Sequence, residues 1–358
     1  MKKSVVCLCM ALVLLVSSGC ALQGNNKDLK ESIDKLSEKI DKMMDDLDYG
    51  EEIHEIYDDT EVVKAYKSGD SSKIKDEKDK YILEQATKAV DKIIKDGMTD
   101  YEKEKAVYDY IFDNTKYDNA ALAAIDTSGE DSHNPYGFFH DKSVICVGNA
   151  TTFKLFMDML DIDSKIIHST TAGEHAWNVV KIGGDWYHVD LTFDNGDKSP
   201  TYAYFNVTDK AKGNDYPWDK SKYPKCTATK YCYVIQNAQQ LDSLYDIPAA
   251  LKKAIDAKKS CVYFKLDVPK GQNAVVYSEI VRNLFDCLEC DDLYISGVSA
   301  TCTDDNKSVV CTVSISKDED SETSLINSIV DYKKLSEEFE KVFDGDVTLF
   351  EEYEEDDE

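Results

Sequence analysis

The chain has 358 residues, a length that suits about two domains. Its 42 basic against 70 acidic residues leave a formal net charge of −28, which repels nucleic acid and anionic lipid headgroups and excludes both as direct partners. A basic or neutral partner fits the charge, and solubility explains it as well; the 42% apolar content is enough for packed cores.

The first residues, "MKKSVVCLCMALVLLVSSGC", read as an export signal. Lys2 and Lys3 precede an apolar run from Val5 to Val16, too short to span a membrane. The run closes on Ser17-Ser18-Gly19-Cys20, which looks like a bacterial lipobox. On that reading Cys20 becomes the lipidated first residue of an exported protein, membrane-anchored on the extracytoplasmic face. An ordinary cleaved signal is the alternative, because Ser17 stands where Leu is more usual. A short polar tether follows. Leu29, Ile33, Leu36, Ile40, Met43 and Leu47 then recur at steps of four and three, a heptad seam. It reads as one helix packing on its own domain or serving as a stalk, with coiled-coil self-association over 29–47 as the alternative; oligomeric state stays open.

A second helical block is expected from about Lys75 to Lys95, ended by Gly97. "TDYE", Thr99 to Glu102, then offers a capping box, and the helix it opens carries Ala106, Val107, Tyr110 and Ile111 on its apolar face. A long polar loop leads to "SVICVGNATTFKLFMDMLDI". Gly148 and Asn149 are weak helix formers, while Phe153, Phe156, Met157 and Leu160 have helical spacing. Cys146 therefore lies at or just before a helix N-terminus, where the helix dipole lowers a thiol pKa. The Cys146 N–H is a natural donor to an oxyanion.

"HAWNVVKIGGDWYHVDLTFD", His175 to Asp194, reads as a hairpin turning at Gly183-Gly184. If Ile182 faces Asp185, paired numbers sum to 367 and His175 stands opposite Thr192. Asp190 then shares the face of His175 as its diagonal neighbour, able to fix the imidazole tautomer and favour its charged form. His188 shares that parity without an obvious partner. Trp177 and Trp186 fall close together but unpaired, and core packing is their plainer role. A thiol at a helix start with a His–Asp pair on a hairpin is an arrangement used for acyl transfer; a buried small cysteine and a structural histidine are the bland alternative.

Beyond Pro224 the texture changes. "KYCYVIQN" looks like a strand, 249–258 a helix, "SCVYFKLDV" a strand and "NAVVYSEIVRNLFDCLEC" a helix; two strands around "DDNKS" follow. The order β-α-β-α-β-β makes a small α+β layer. Of the 11 cysteines, Cys7 and Cys9 leave with the signal. Seven crowd between Cys226 and Cys311, an odd number, so their pairing stays open. Cys302 and Cys311, equidistant from the turn centre, are expected to face each other across the hairpin. "CLEC" has no second such pair and reads as helix. A helix and the acidic tail "EEYEEDDE" end the chain.

Three blocks resemble the transglutaminase-like superfamily: "TDYEKEKAVYDYIFDNTKYD", "SVICVGNATTFKLFMDMLDI" and "GEHAWNVVKIGGDWYHVDLTFD", with "YFNVTD" and "YPWD" as its continuation. The resemblance implies a papain-like α+β core over 99–224. It implies Cys146 as nucleophile, His175 as base and Asp190 as orienter, with Tyr136 and Trp177 as candidates to contact substrate. Val147, Asn149 and the run Asp190-Leu191-Thr192-Phe193 depart from the usual family pattern. The expected organisation is a signal over 1–20, a tether and helical region over 21–98, that core, an accessory α+β domain over 225–319, and the terminal helix and tail. No metal and no cofactor is expected. Two functions compete: thioester acyl transfer on amide bonds of protein or peptide, by hydrolysis or cross-linking, and a non-catalytic surface module that keeps the fold.

Overall fold

The computed structural model describes residues 56–118, 131–169, 175–194, 200–213, 216–286, 288–290, 293–303, 305–316, 332–342 and 347–348. The expectations for the signal, Cys20, the 29–47 seam and the acidic tail lie outside the described residues. No helix among the described residues is long and apolar enough to cross a membrane.

Helices α1 (Thr60–Ser68), α2 (Glu77–Ile93) and α3 (Asp100–Asn114) open the chain's first unit. The capping box expected at Thr99 is present. Glu102 N–H donates to the Thr99 hydroxyl at 3.3 Å, and the Thr99 N–H donates to Glu102 Oε2 at 2.8 Å. Such a cap contributes about 1 kcal/mol and sets where α3 begins. A two-residue strand β1 (Lys116–Tyr117) follows, then α4 (Pro135–His140), β2 (Ser143–Val144) and α5 (Cys146–Met159). β1 and β2 pair in parallel, with Tyr117 opposite Val144.

Strands β3 (Ser164–Ser169), β4 (His175–Ile182), β5 (Asp185–Val189) and β6 (Phe205–Val207) form one antiparallel sheet in that order. The expected hairpin register is found: Ile182 opposes Asp185 and Asn178 opposes Val189. Gly183 and Gly184 carry positive φ at the turn. β4 is buried on both faces except at Lys181, not half-solvated as simple alternation implies. Val180, Ile182 and Tyr187 share a core with Val107, Phe153 and Phe156 of the helices, whereas Trp177 and Val179 pack with Trp218 on the other side.

Val62, Ile82 and Ala86 lie in that same helical core, so α1 and α2 are built into this unit and not a separate helical region. Contacts divide the chain between Gln236 and Asn237, twelve residues beyond the expected end at 224. The extension follows from aromatic packing. Tyr233 stacks on Tyr202 at 3.9 Å, and the Tyr231 ring lies so close over Gly183 that a Cβ there would meet it at 2.5 Å. Residues 233–237 form a helix, α7 (after α6, Asp209–Lys212), where a strand was expected. The β-branched and aromatic residues that suggested a strand bury Val234 and stack Tyr233 instead.

The second unit departs from the expected β-α-β-α-β-β order: its first strand lies at β7 (Gln239–Leu241), and a short strand falls at Glu289–Cys290, where "CLEC" reads as helix. Then come α8 (Ile247–Asp256), β8 (Cys261–Asp267), α9 (Ala274–Asp286), β9 (Glu289–Cys290), β10 (Tyr294–Cys302), β11 (Ser308–Ser316), α10 (Tyr332–Glu340) and β12 (Val347–Thr348). One sheet runs β10-β11-β8-β7, over a core with Leu251, Phe264, Val281, Leu284 and Phe339. Cys302 and Cys311 do not face each other: Cys302 opposes Val309 and Cys311 opposes Ala300. The loop is pinned at Thr303, whose N–H donates to Ser308 O at 2.8 Å, and Asn306 takes a positive φ of 55°. That closure puts the ladder one step off the centre counted from sequence. None of Cys146, Cys226, Cys232, Cys261, Cys302 and Cys311 is in a disulfide.

Candidate active site

Cys146 is the first residue of α5, as its sequence context implies. Ile145 before it is extended, and its N–H donates to Ser132 O at 3.0 Å. Gly148 makes this approach feasible: a Cβ there would sit 2.2 Å from Ser132 O and 2.7 Å from Val144 Cβ. The glycine after the cysteine is thus a packing requirement of the helix start. Asn149, one of the departures from the family pattern, donates from Nδ2 to Thr192 Oγ1 at 3.2 Å. It ties α5 to the segment that follows Asp190.

His175 Nε2 lies 2.8 Å from Asp190 Oδ2. The other ring nitrogen is left for Cys146, whose thiol is hydrogen-bonded to this imidazole. Asp190 sits just past β5, its Oδ1 accepting from the Thr192 and Phe193 N–H groups at 3.2 Å each. Its own N–H donates to Tyr204 O at 3.1 Å. The three residues predicted from sequence therefore meet in one chain of contacts, thiol to imidazole to carboxylate. All three are buried: Cys146 is 6%, His175 3% and Asp190 1% exposed. The rings of Phe193, Tyr216 and Trp177 lie 4.3, 4.7 and 5.6 Å from the His175 ring.

Burial alone would lower the His175 pKa, but the bonds to Asp190 and Cys146 outweigh it and the net shift is upward. Burial would raise Asp190, yet His175 and Lys212 hold it below the ordinary carboxylate range. A hydrogen-bonded imidazole that favours its charged form, beside a thiol at a helix N-terminus, is suited to a thiolate–imidazolium pair.

His188, which has no obvious partner in the sequence, has two in the fold. Trp177 Nε1–H donates to His188 Nδ1 at 2.9 Å, and His188 Nε2 lies 2.8 Å from Asp209 Oδ1. An indole nitrogen can only donate, so Nδ1 must accept and Nε2 must carry the proton. The ring is held neutral by geometry, in line with its lowered pKa, which burial causes against the pull of Asp209. Two histidines of one hairpin thus have opposite tendencies. Among the described residues His188, Asp209 and Cys226 place ligand atoms within 4.8 Å of one another. The Trp177 bond leaves Nε2 protonated with no lone pair for a cation, and burial pushes the Cys226 thiol well up, so this donor set does not suit a metal.

Residues 87–191 match the family model described as the transglutaminase-like superfamily. Over these residues the chain is similar to that family. It belongs to the α+β class with a papain-like core, as expected. Two solved structures are similar over part of their length. One is a TGase, 18% identical with a TM-score of 0.28, matched over 37% of this chain and 37% of that one. The other is a proposed cysteine protease from Cytophaga hutchinsonii, 16% identical with a TM-score of 0.25, matched over 31% of this chain and 37% of that one. The chain spans little more than a third of the length of either. No curated protein matches.

Of the two remaining candidates, Tyr136 is half-buried among aromatic side chains and Trp177 is buried. Tyr136 on α4 stacks on His140 at 4.9 Å and packs against Tyr81 at 5.5 Å. Trp177 is 1% exposed and backs onto His175 and His188. Sequence reasoning missed Tyr117, Lys212, Tyr216 and Asp209. The Tyr117 hydroxyl bonds both the N–H and the thiol of Cys146; burial and the thiol's charge push its pKa up to about 12. The Cys146 N–H, the donor expected for an oxyanion, is therefore engaged by Tyr117. The only sequence signal for Tyr117 was its position at the end of the first family-like block.

Proposed function

We propose that this protein is an exported, lipid-anchored cysteine enzyme that performs thioester acyl transfer on amide bonds of protein or peptide. Cys146 thiolate attacks the carbonyl carbon, and the negative oxygen that forms takes the Cys146 N–H from the Tyr117 hydroxyl. The C–N bond breaks as the His175 imidazolium protonates the departing amine. An incoming amine or water, deprotonated by His175, then attacks the thioester and expels Cys146. Asp190 keeps the imidazole in the tautomer this sequence needs. Water gives a protease or amidase and a lysine amine gives a cross-link. The observation that carries this reading is the 2.8 Å bond of His175 to Asp190 on an imidazole that also bonds a thiol at a helix start.

The burial of Cys146, His175 and Asp190 is what favours the second reading, a surface-assembly module that keeps the fold without turnover. Labelling separates the two. In the full chain, iodoacetamide should modify Cys146, located by peptide mass, at mildly acidic pH, with a midpoint well below the free-thiol value of about 8.5. A Cys146 that stays unlabelled, or labels only near that value, supports the module. The anchor is supported by the lipobox-like end of the N-terminal apolar run. Cys20→Ser should move the protein from the membrane fraction to the soluble exported fraction, and unchanged membrane association would reject it.

A further inference from the structure

We propose that Lys212 is a positioning residue of the thiol site, a buried counter-ion that shares Asp190 with His175 and balances the charge of the whole set. This rests on the proposed function and adds a fourth member to it. Lys212 Nζ lies 3.2 Å from Asp190 Oδ2, the same oxygen that His175 Nε2 meets at 2.8 Å. The lysine and aspartate side chains are 2% and 1% exposed. The ammonium is walled by aromatic rings: Trp177 at 4.4 Å, Phe193 at 4.8 Å and Tyr204 at 5.6 Å. Two of those rings, Trp177 and Phe193, also pack on His175.

Lys212 is brought there by one turn of helix. The Thr208 hydroxyl caps α6 by accepting from Ala211 N–H at 3.2 Å, and Lys212 N–H donates to Thr208 O at 2.9 Å. The same turn begins with Asp209, the partner of His188. One turn therefore supplies a cation to the carboxylate of one histidine and an anion to the other histidine. Burying a lysine is costly without a specific partner, and a surface lysine would serve packing as well.

The charge count gives the reason. A thiolate, an imidazolium and the Asp190 carboxylate together carry one uncompensated negative charge in a water-poor site. With the Lys212 ammonium the set is neutral. Without it the extra negative field would hold both protons tighter, on the thiol and on the imidazole. The titratable groups that face this set are Tyr117 near Cys146, Tyr216 near His175, Tyr204 near Lys212, Tyr108 with Asp194 near Asp190, and His188 with Asp209 behind Trp177. None of these supplies a second cation, because His188 is held neutral by the indole.

The test is the rate of Cys146 alkylation by iodoacetamide against pH, in the full chain, with thermal melting as a control for folding. Lys212→Met should still be labelled at Cys146, but both limbs of its profile should move to higher pH by about one unit. Lys212→Arg should restore the wild-type limbs. If the limbs of Lys212→Met coincide with wild type, Lys212 only packs and the proposal is overturned. If Lys212→Met does not fold, Lys212→Gln keeps a donor without the charge, and a wild-type profile there overturns it equally. Failure of the underlying reading looks different: wild type itself would then show a single ordinary thiol limb that His175→Ala leaves in place.

Discussion

Replacing His175 with alanine should abolish acyl transfer and raise the alkylation midpoint of Cys146 to that of an ordinary thiol, about 8.5. Two losses combine in this variant. On the proposed mechanism, the imidazolium partner of the thiol is gone, and so is the group that protonates the leaving amine. Cys146→Ala should abolish turnover as completely, with folding little changed, since a small buried side chain gives way to a smaller one. The double variant should be no worse than either single one, because the residues act as a unit. Asp190→Ala should keep some activity, as Asp190 orients the base and is not consumed. It should also lower stability by about 3 to 5 kcal/mol, because it strands the buried Lys212 ammonium that now bonds Asp190. Turnover is read with a p-nitrophenyl ester and stability with chemical denaturation. A His175→Ala protein whose alkylation profile matches wild type would remove His175 from the site.

The pH dependence has a defined sign for each member. The folded-state pKa of His175 is raised, so its contribution to stability is fully present below about 6.5 and is lost as pH rises through the folded value. That of Asp190 is lowered, so its contribution is present above about 3.9 and is lost as pH falls through the folded value.

Glu104→Gln should stabilise the protein, and more so as pH rises. Glu104 lies on α3 with 0% exposure. Asn206 Nδ2 donates to its Oε2 at 2.8 Å, while Oε1 has no hydrogen-bond partner among the described residues. Burial raises its pKa to about 8, against a smaller lowering by Asn206. The folded chain therefore keeps a proton that the unfolded chain has lost between the model-peptide value and about 8. Across that window stability falls by about 1.4 kcal/mol per pH unit, on the order of 5 kcal/mol in all. An amide has no such slope, and its NH2 can face the Asn206 carbonyl oxygen, which also lacks a partner among the described residues. The gain in Tm should be small at mildly acidic pH and largest near pH 8. An equal Tm for the two proteins near pH 8 would show that Glu104 is not held protonated.

Much of the site was legible before any tertiary information. Gly183-Gly184 fixed the hairpin register by turn chemistry alone, and the register placed Asp190 beside His175. The Thr99 capping box and the weak helix formers after Cys146 marked where α3 and α5 begin. These features depend on neighbours within a few residues, so local spacing carries them. The same local signals failed where a distant partner outweighed them. Residues 233–237 are strand-like by composition, yet Tyr233 stacks on Tyr202 and the segment winds into α7. The β10–β11 loop closes at Thr303 and Ser308 and not about its centre, which sets Cys302 and Cys311 out of line.

What the sequence by itself determined was the α+β class, the start of the helix bearing Cys146 and the pairing of His175 with Asp190. Only the tertiary structure decided which groups surround them. Lys212 reaches Asp190 from a turn of helix more than twenty residues away. Tyr117 reaches Cys146 across a parallel pair of short strands, and Trp177 fixes the tautomer of His188 across the hairpin. The physical reason is that periodicity records which face a residue takes, whereas a buried charge or ring nitrogen finds its partner through packing.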